Sequence, residues 1–123
     1  MKKGFGEMKE PIAYLNGEFM PQSEAKLSVY DLGIVLGATV TEMIRTFAHK
    51  PFRLEEHVTR LYRSIKYARF DVTMSSEEMI ETTLKVIKQN VTLIPKSKDL
   101  GIVQFVTAGF HPVYAGSAVS AEK

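Results

Sequence analysis

The 123 residues contain no cysteine and no tryptophan. Without cysteine the chain forms no disulfide, no zinc–thiolate site and no thiol nucleophile, a composition that fits a reducing compartment. Histidine is sparse: His49, His57 and His111 stand far apart with no spacing of the HExxH kind, so nothing argues for a metal site. No apolar run approaches the length of a membrane span. The opening "MKKGFGEMKEP" carries charge but no apolar segment, so it does not read as a signal peptide. An excess of one charge is also missing. Sixteen basic residues stand against 14 acidic ones, a formal net charge of +2, with the signs interspersed. No basic stripe with interleaved aromatics appears, so the sequence does not support nucleic-acid binding. "GFG" has no strand before it and no helix pattern after it, and so makes a poor phosphate loop. The remaining expectation is one soluble, cytoplasmic domain. A chain of this length buries roughly two-thirds of its unfolded surface and needs neither disulfide nor metal to fold.

Residues 1–11 read as a flexible arm. In "IAYLNGEFMP", Asn16-Gly17 between two short apolar runs predicts a hairpin, because both residues tolerate the positive φ of a tight turn. Pro21 ends its second strand or marks an edge. "SEAKLSVYDLGIVLGATV" is punctuated by Asp31, Gly33 and Gly37 and predicts a loop with a short turn of helix. "VTEMIRTFAHKPFRL" predicts a second hairpin, with "AHKP" as its turn and with Glu42 and Arg45 facing water from a half-exposed strand. "RLEEHVTRLYRSIKYARF" is helical, with Leu54, Val58, Leu61, Ile65 and Ala68 as its buried stripe. Glu55 and Glu56 in the first turn and Arg69 in the last suit the helix dipole. "SSEEMIETTLKVIKQN" is a second helix, capped by Ser75 with Glu78, with a stripe of Ile80, Leu84, Ile87 and Val91. "LGIVQFVTAGF" is nearly continuous in apolar character and predicts a central strand. Residues 110–123 thin to linker composition. Hairpin, hairpin, helix, helix, strand is the order of an α+β layer: a mainly antiparallel sheet with two helices packed on one side.

One polar row carries candidate chemistry. On the first helix, His57, Arg60, Ser64 and Tyr67 follow one another at spacings of three, four and three beside the apolar stripe. An arginine there can aim its rigid fork of donors at a phosphate or carboxylate. It can equally lay its stem over apolar surface, with His57 an ordinary boundary residue. No serine has a GxSxG context, no acidic pair has glycosidase-like spacing, and no lysine sits in an apolar run that would desolvate it.

From Ile12 to Gly109 the motifs "NGEF", "SVYDLG" followed by Gly37, Glu42-x-x-Arg45, "PFRLEEH", "HVTRLYRS" and "VQFVTAG" occur in one order. That order resembles the amino-terminal domain of the fold type IV pyridoxal-phosphate enzymes, the class IV aminotransferases of branched-chain and D-amino acids among them. The resemblance implies the amino-terminal domain of the D-amino-acid aminotransferase-like fold over residues 12–109. It implies that Arg60 holds the phosphate of pyridoxal 5′-phosphate in a full-length parent, and that these residues alone would not retain the cofactor. Leu36, Ala38, Thr41, Met43, Arg45, Thr107 and Ala108 would fall along the substrate pocket. Leu36 replaces a frequent tyrosine, Thr41 a frequent phenylalanine, and Ala108 an arginine that can bind a substrate carboxylate. The implied reaction moves an amino group between an amino acid or amine and a keto acid, in a homodimer. The family's Schiff-base lysine lies in a carboxy-terminal catalytic domain, and no lysine here matches it. The expectation is therefore that these residues alone are inactive and that a parent enzyme carries the activity. An aminodeoxychorismate lyase-like enzyme and a non-catalytic dimerisation or binding module are the alternatives.

Overall fold

Asn16 and Gly17 take positive φ, 48° and 95°, and join β1 (Ile12–Leu15) to β2 (Glu18–Pro21) in an antiparallel hairpin. Pro21 is the last residue of its strand, as the sequence suggests. The structure, a computed structural model, describes residues 10–111. Most of the expected arm, and the expected linker from residue 112 onward, lie outside the described residues.

After a turn of 3-10 helix (Gln22–Glu24) the chain reaches Asp31, whose carboxylate caps the one-turn helix α1 (Leu32–Val35) by accepting from the Gly33 N–H at 2.7 Å. Gly33 is required by close approach. A Cβ there would stand 2.5 Å from the Thr107 methyl group. β3 (Thr39–Phe47) then runs to a turn at Ala48 and His49, both at positive φ, and returns as the two-residue β4 (Lys50–Pro51). The turn is thus the first half of "AHKP", and the second half is strand. α2 spans Leu54–Ala68 and α3 spans Ser76–Asn90, with the Ser75–Glu78 capping box formed in full. β5 (Gly101–Thr107) pairs antiparallel with β3, from Thr39 opposite Thr107 to Arg45 opposite Gly101.

The larger sheet has the order β4-β3-β5. β5 is therefore an edge strand among the described residues, not the central strand its composition predicts. The reason lies in its alternation. Gln104 is buried against the helices, while Val103 and Phe105 stand exposed on the opposite face beside Met43. A continuous apolar run here supplies two different faces, one of them uncovered.

Both helices lie on the other face. Ile44, Leu54 and Val58 form the core, with Tyr62, Met79, Ile80 and Ile102 packed against it. α2 buries Leu54, Val58, Leu61 and Ile65 as its spacing predicts. Ala68 is exposed, because the helix ends there and Arg69 follows as a left-handed cap. α3 departs further. Its buried residues are Thr83, Ile87 and Asn90, whereas Leu84 is exposed and Val91 belongs to a following 3-10 turn. Polar partners rotate it. Thr83 accepts from the Gln104 amide at 2.7 Å, and Asn90 bonds both the N–H and the C=O of Ile12, at 2.8 and 2.9 Å. No helix among the described residues is long and apolar enough to cross a membrane.

Candidate functional site

Side chains alternate along a strand, so Glu42 shares its face with Ile44 and Thr46 and turns toward the helices. This corrects the expectation that Glu42 faces water: its side chain is only 5% exposed. Arg45, three positions on, falls on the opposite face. A spacing of three in a strand puts the two charges on opposite faces, and that spacing is the signal that one of them faces inward.

α2 meets Glu42 with two residues one turn apart. Arg60 Nε donates to Glu42 Oε2 at 2.9 Å and its Nη2 donates to Oε1 at 2.6 Å, a two-point grip. His57 Nδ1 lies 2.7 Å from the same Oε1. An ionised carboxylate only accepts, so Nδ1 carries the hydrogen. The Arg60 bonds hold the Glu42 carboxyl below the ordinary carboxylate range. Burial opposes that shift, and the His57 bond reinforces it. Glu42 in turn raises the Arg60 guanidinium, which stays charged.

The guanidinium borders an open cavity of about 530 Å³ lined by Thr41, Glu42, Met43, Arg60, Ser64 and Val103. Of five N–H donors on an arginine, Arg60 gives two to Glu42. Three remain on a side chain that is 64% exposed. The residues fit a phosphate group: a charged fork with free donors, locked in direction from behind. The rest of the polar row divides. Ser64 joins the cavity, and Tyr67, at 83% exposure, points to solvent.

The residues expected along a substrate pocket separate into several places. Thr41 and Met43 line the cavity. Ala38, Thr107 and Ala108 meet where β3 begins and β5 ends, with Ala108 N–H donating to Ala38 C=O at 3.0 Å. Leu36 is exposed at the C-cap of α1. Arg45 is drawn away to the far end of β3. Its guanidinium lies 3.9 Å over the Phe47 ring and 3.8 Å from Asp99. Asp99 is itself fixed by the His49 backbone N–H and the Thr46 hydroxyl, which hold its carboxyl below the ordinary range. No described lysine lines the cavity, and no group of three acidic or histidine side chains suited to a metal occurs among the described residues.

No family model matches the chain. Individual proteins do. A 77-residue stretch is 42% identical to a putative branched-chain-amino-acid aminotransferase of Methanocaldococcus jannaschii, covering 63% of this chain and 27% of that protein. A D-alanine aminotransferase of Staphylococcus aureus matches at the same identity and coverage. Among solved structures, a branched-chain aminotransferase of Thermoproteus uzoniensis, crystallised with norvaline, superposes with a TM-score of 0.70. The sequences are 29% identical over 79% of this chain and 33% of that one. The branched-chain amino acid aminotransferase of Escherichia coli gives a TM-score of 0.67 at 34% identity, over 76% of this chain and 32% of that one. In sequence and in fold the chain matches the amino-terminal part of class IV aminotransferases. It spans between a quarter and a third of the length of these relatives.

Proposed function

We propose that residues 12–109 are the amino-terminal domain of a pyridoxal-phosphate-dependent class IV aminotransferase. The observation that carries this reading is Arg60, whose guanidinium is clamped by Glu42 with three donors left over at a cavity edge. In this reading Arg60 binds the phosphate of the cofactor. Glu42 and His57 keep the guanidinium from swinging away, and Thr41 and Met43 border the space beside it. A structural neighbour at 36% identity and a TM-score of 0.62, also a branched-chain amino acid aminotransferase, was solved with pyridoxamine 5′-phosphate, which supports this choice of ligand. The cofactor, when bound, supplies the electron sink that lets an amino group be exchanged. In this reading the Schiff-base lysine belongs to the catalytic domain of a full-length parent, no described lysine borders the cavity, and the 123 residues by themselves are inactive. The exposed apolar sheet face of Met43, Val103 and Phe105 supports contact with further protein, and in this reading the parent enzyme is a homodimer of the cytoplasm.

Curated relatives named for branched-chain amino acids and for D-alanine match with equal identity. The test therefore offers the gene's entire product both kinds of donor, with and without a keto acid. The expected result is loss of donor only when the keto acid is present. Release of pyruvate from aminodeoxychorismate with no transfer in either assay would assign a lyase instead.

A further inference from the structure

The Arg60 cavity has a second polar side chain whose hydrogen bonding is incomplete. Serine and threonine in a helix often return the hydroxyl to the carbonyl four residues back. Thr83 does so, donating to Met79 C=O at 2.7 Å. Ser64 does not, and among the described residues its hydroxyl makes no hydrogen bond. It stands one helical turn after Arg60, half-buried, and borders the same cavity.

The electrostatics give such a hydroxyl a task. Glu42 largely cancels the charge of Arg60, so the pair offers an anion little net attraction at a distance. Affinity must come from directed hydrogen bonds made at close range. Arg60 offers three donors from one side of the cavity, and Ser64 offers one from the next turn of the helix. We infer that Ser64 is a second donor to the phosphate group that Arg60 binds, so that α2 holds a phosphate monoester through residues i and i+4. This rests on the phosphate reading of Arg60. It concerns a residue to which neither the resemblance nor the polar row gave a role.

Inorganic phosphate is the probe, titrated into the 123-residue chain at constant ionic strength and followed by the backbone amide resonances of residues 41–43 and 60–64. Wild type is expected to show weak, saturable binding. Ser64→Ala weakens it about three- to tenfold with an unchanged melting temperature, and Ser64→Thr, which restores the hydroxyl, recovers most of it. Arg60→Gln abolishes it. If Ser64→Ala binds as wild type while Arg60→Gln does not, the inference fails and the phosphate reading stands. If Arg60→Gln binds as wild type, or if wild type shows no saturable binding, the phosphate reading fails and takes the inference with it.

Discussion

A carboxylate turned into the helix-facing side of a sheet costs free energy unless its oxygens are filled, and both oxygens of Glu42 are. Arg60 takes one point on each, and His57 shares Oε1. The folded carboxyl titrates below its unfolded value. Its contribution to stability is therefore complete above the ordinary carboxylate range and is lost as the pH falls through the folded value. Asp99 and Glu78 shift in the same direction and share that acid limb. Urea unfolding of wild type and Glu42→Gln from about pH 7 down to about pH 3 isolates the Glu42 part. At neutral pH the variant should be less stable by about 1–3 kcal/mol, and the gap should close as the medium turns acid. A gap that stays constant would mean that ionisation of Glu42 is not what holds the pair. The polar row of His57, Arg60 and Ser64 is legible from helical spacing alone. The residue that organises it is not. Glu42 sits on another element, and charges in a strand are more often solvated than buried, so only its distance of three from Arg45 hints that one of the two must face inward.

The elements are legible wherever local chemistry decides them. Asn16-Gly17 closes its turn, Ser75 with Glu78 starts α3, and the stripe of α2 is buried from Leu54 to Ile65. Sequence pattern misleads where a tertiary hydrogen bond outranks an apolar contact. Leu84 has the spacing of a core residue, yet Thr83 takes that place because Gln104 needs a partner for its amide. Asn90 does the same at the end of the helix, filling the N–H and C=O of Ile12 and donating to Val86 C=O. Asn90→Ala would leave two backbone groups of β1 unpaired, at about 1–3 kcal/mol each. Hydrogen exchange should then show faster amides in β1 and β2 while β3 and β5 keep their protection. Uniform loss across both sheets would show that Asn90 supports the whole fold and not the docking of the hairpin. The edge position of β5 is hidden for a related reason. Val103 and Phe105 are apolar on the face away from the helices, and composition cannot distinguish a strand buried between layers from one whose outer face awaits cover.

At the scale of the molecule, the helices and the sheet converge on one cavity edge, where α2 delivers Arg60 and β3 delivers Glu42. The outer face of the same sheet carries Met43, Val103 and Phe105 in the open. The relatives matched in sequence are between three and four times longer than the stretch they share with this fold. Met43 and Val103 also line the Arg60 cavity, so the proposed phosphate site and the uncovered apolar face adjoin, as one part of a larger active site would require. The central claim is that this part recognises the phosphate of the cofactor and does so through Arg60. Calorimetric titration of the 123-residue chain with pyridoxamine 5′-phosphate and with pyridoxamine, which differ only in that group, tests it most directly. The phosphorylated compound should bind wild type at least about tenfold more tightly, a difference of some 1.4 kcal/mol, and Arg60→Gln should erase the preference. Equal binding of the two compounds by wild type, or a preference that survives in Arg60→Gln, would contradict the account.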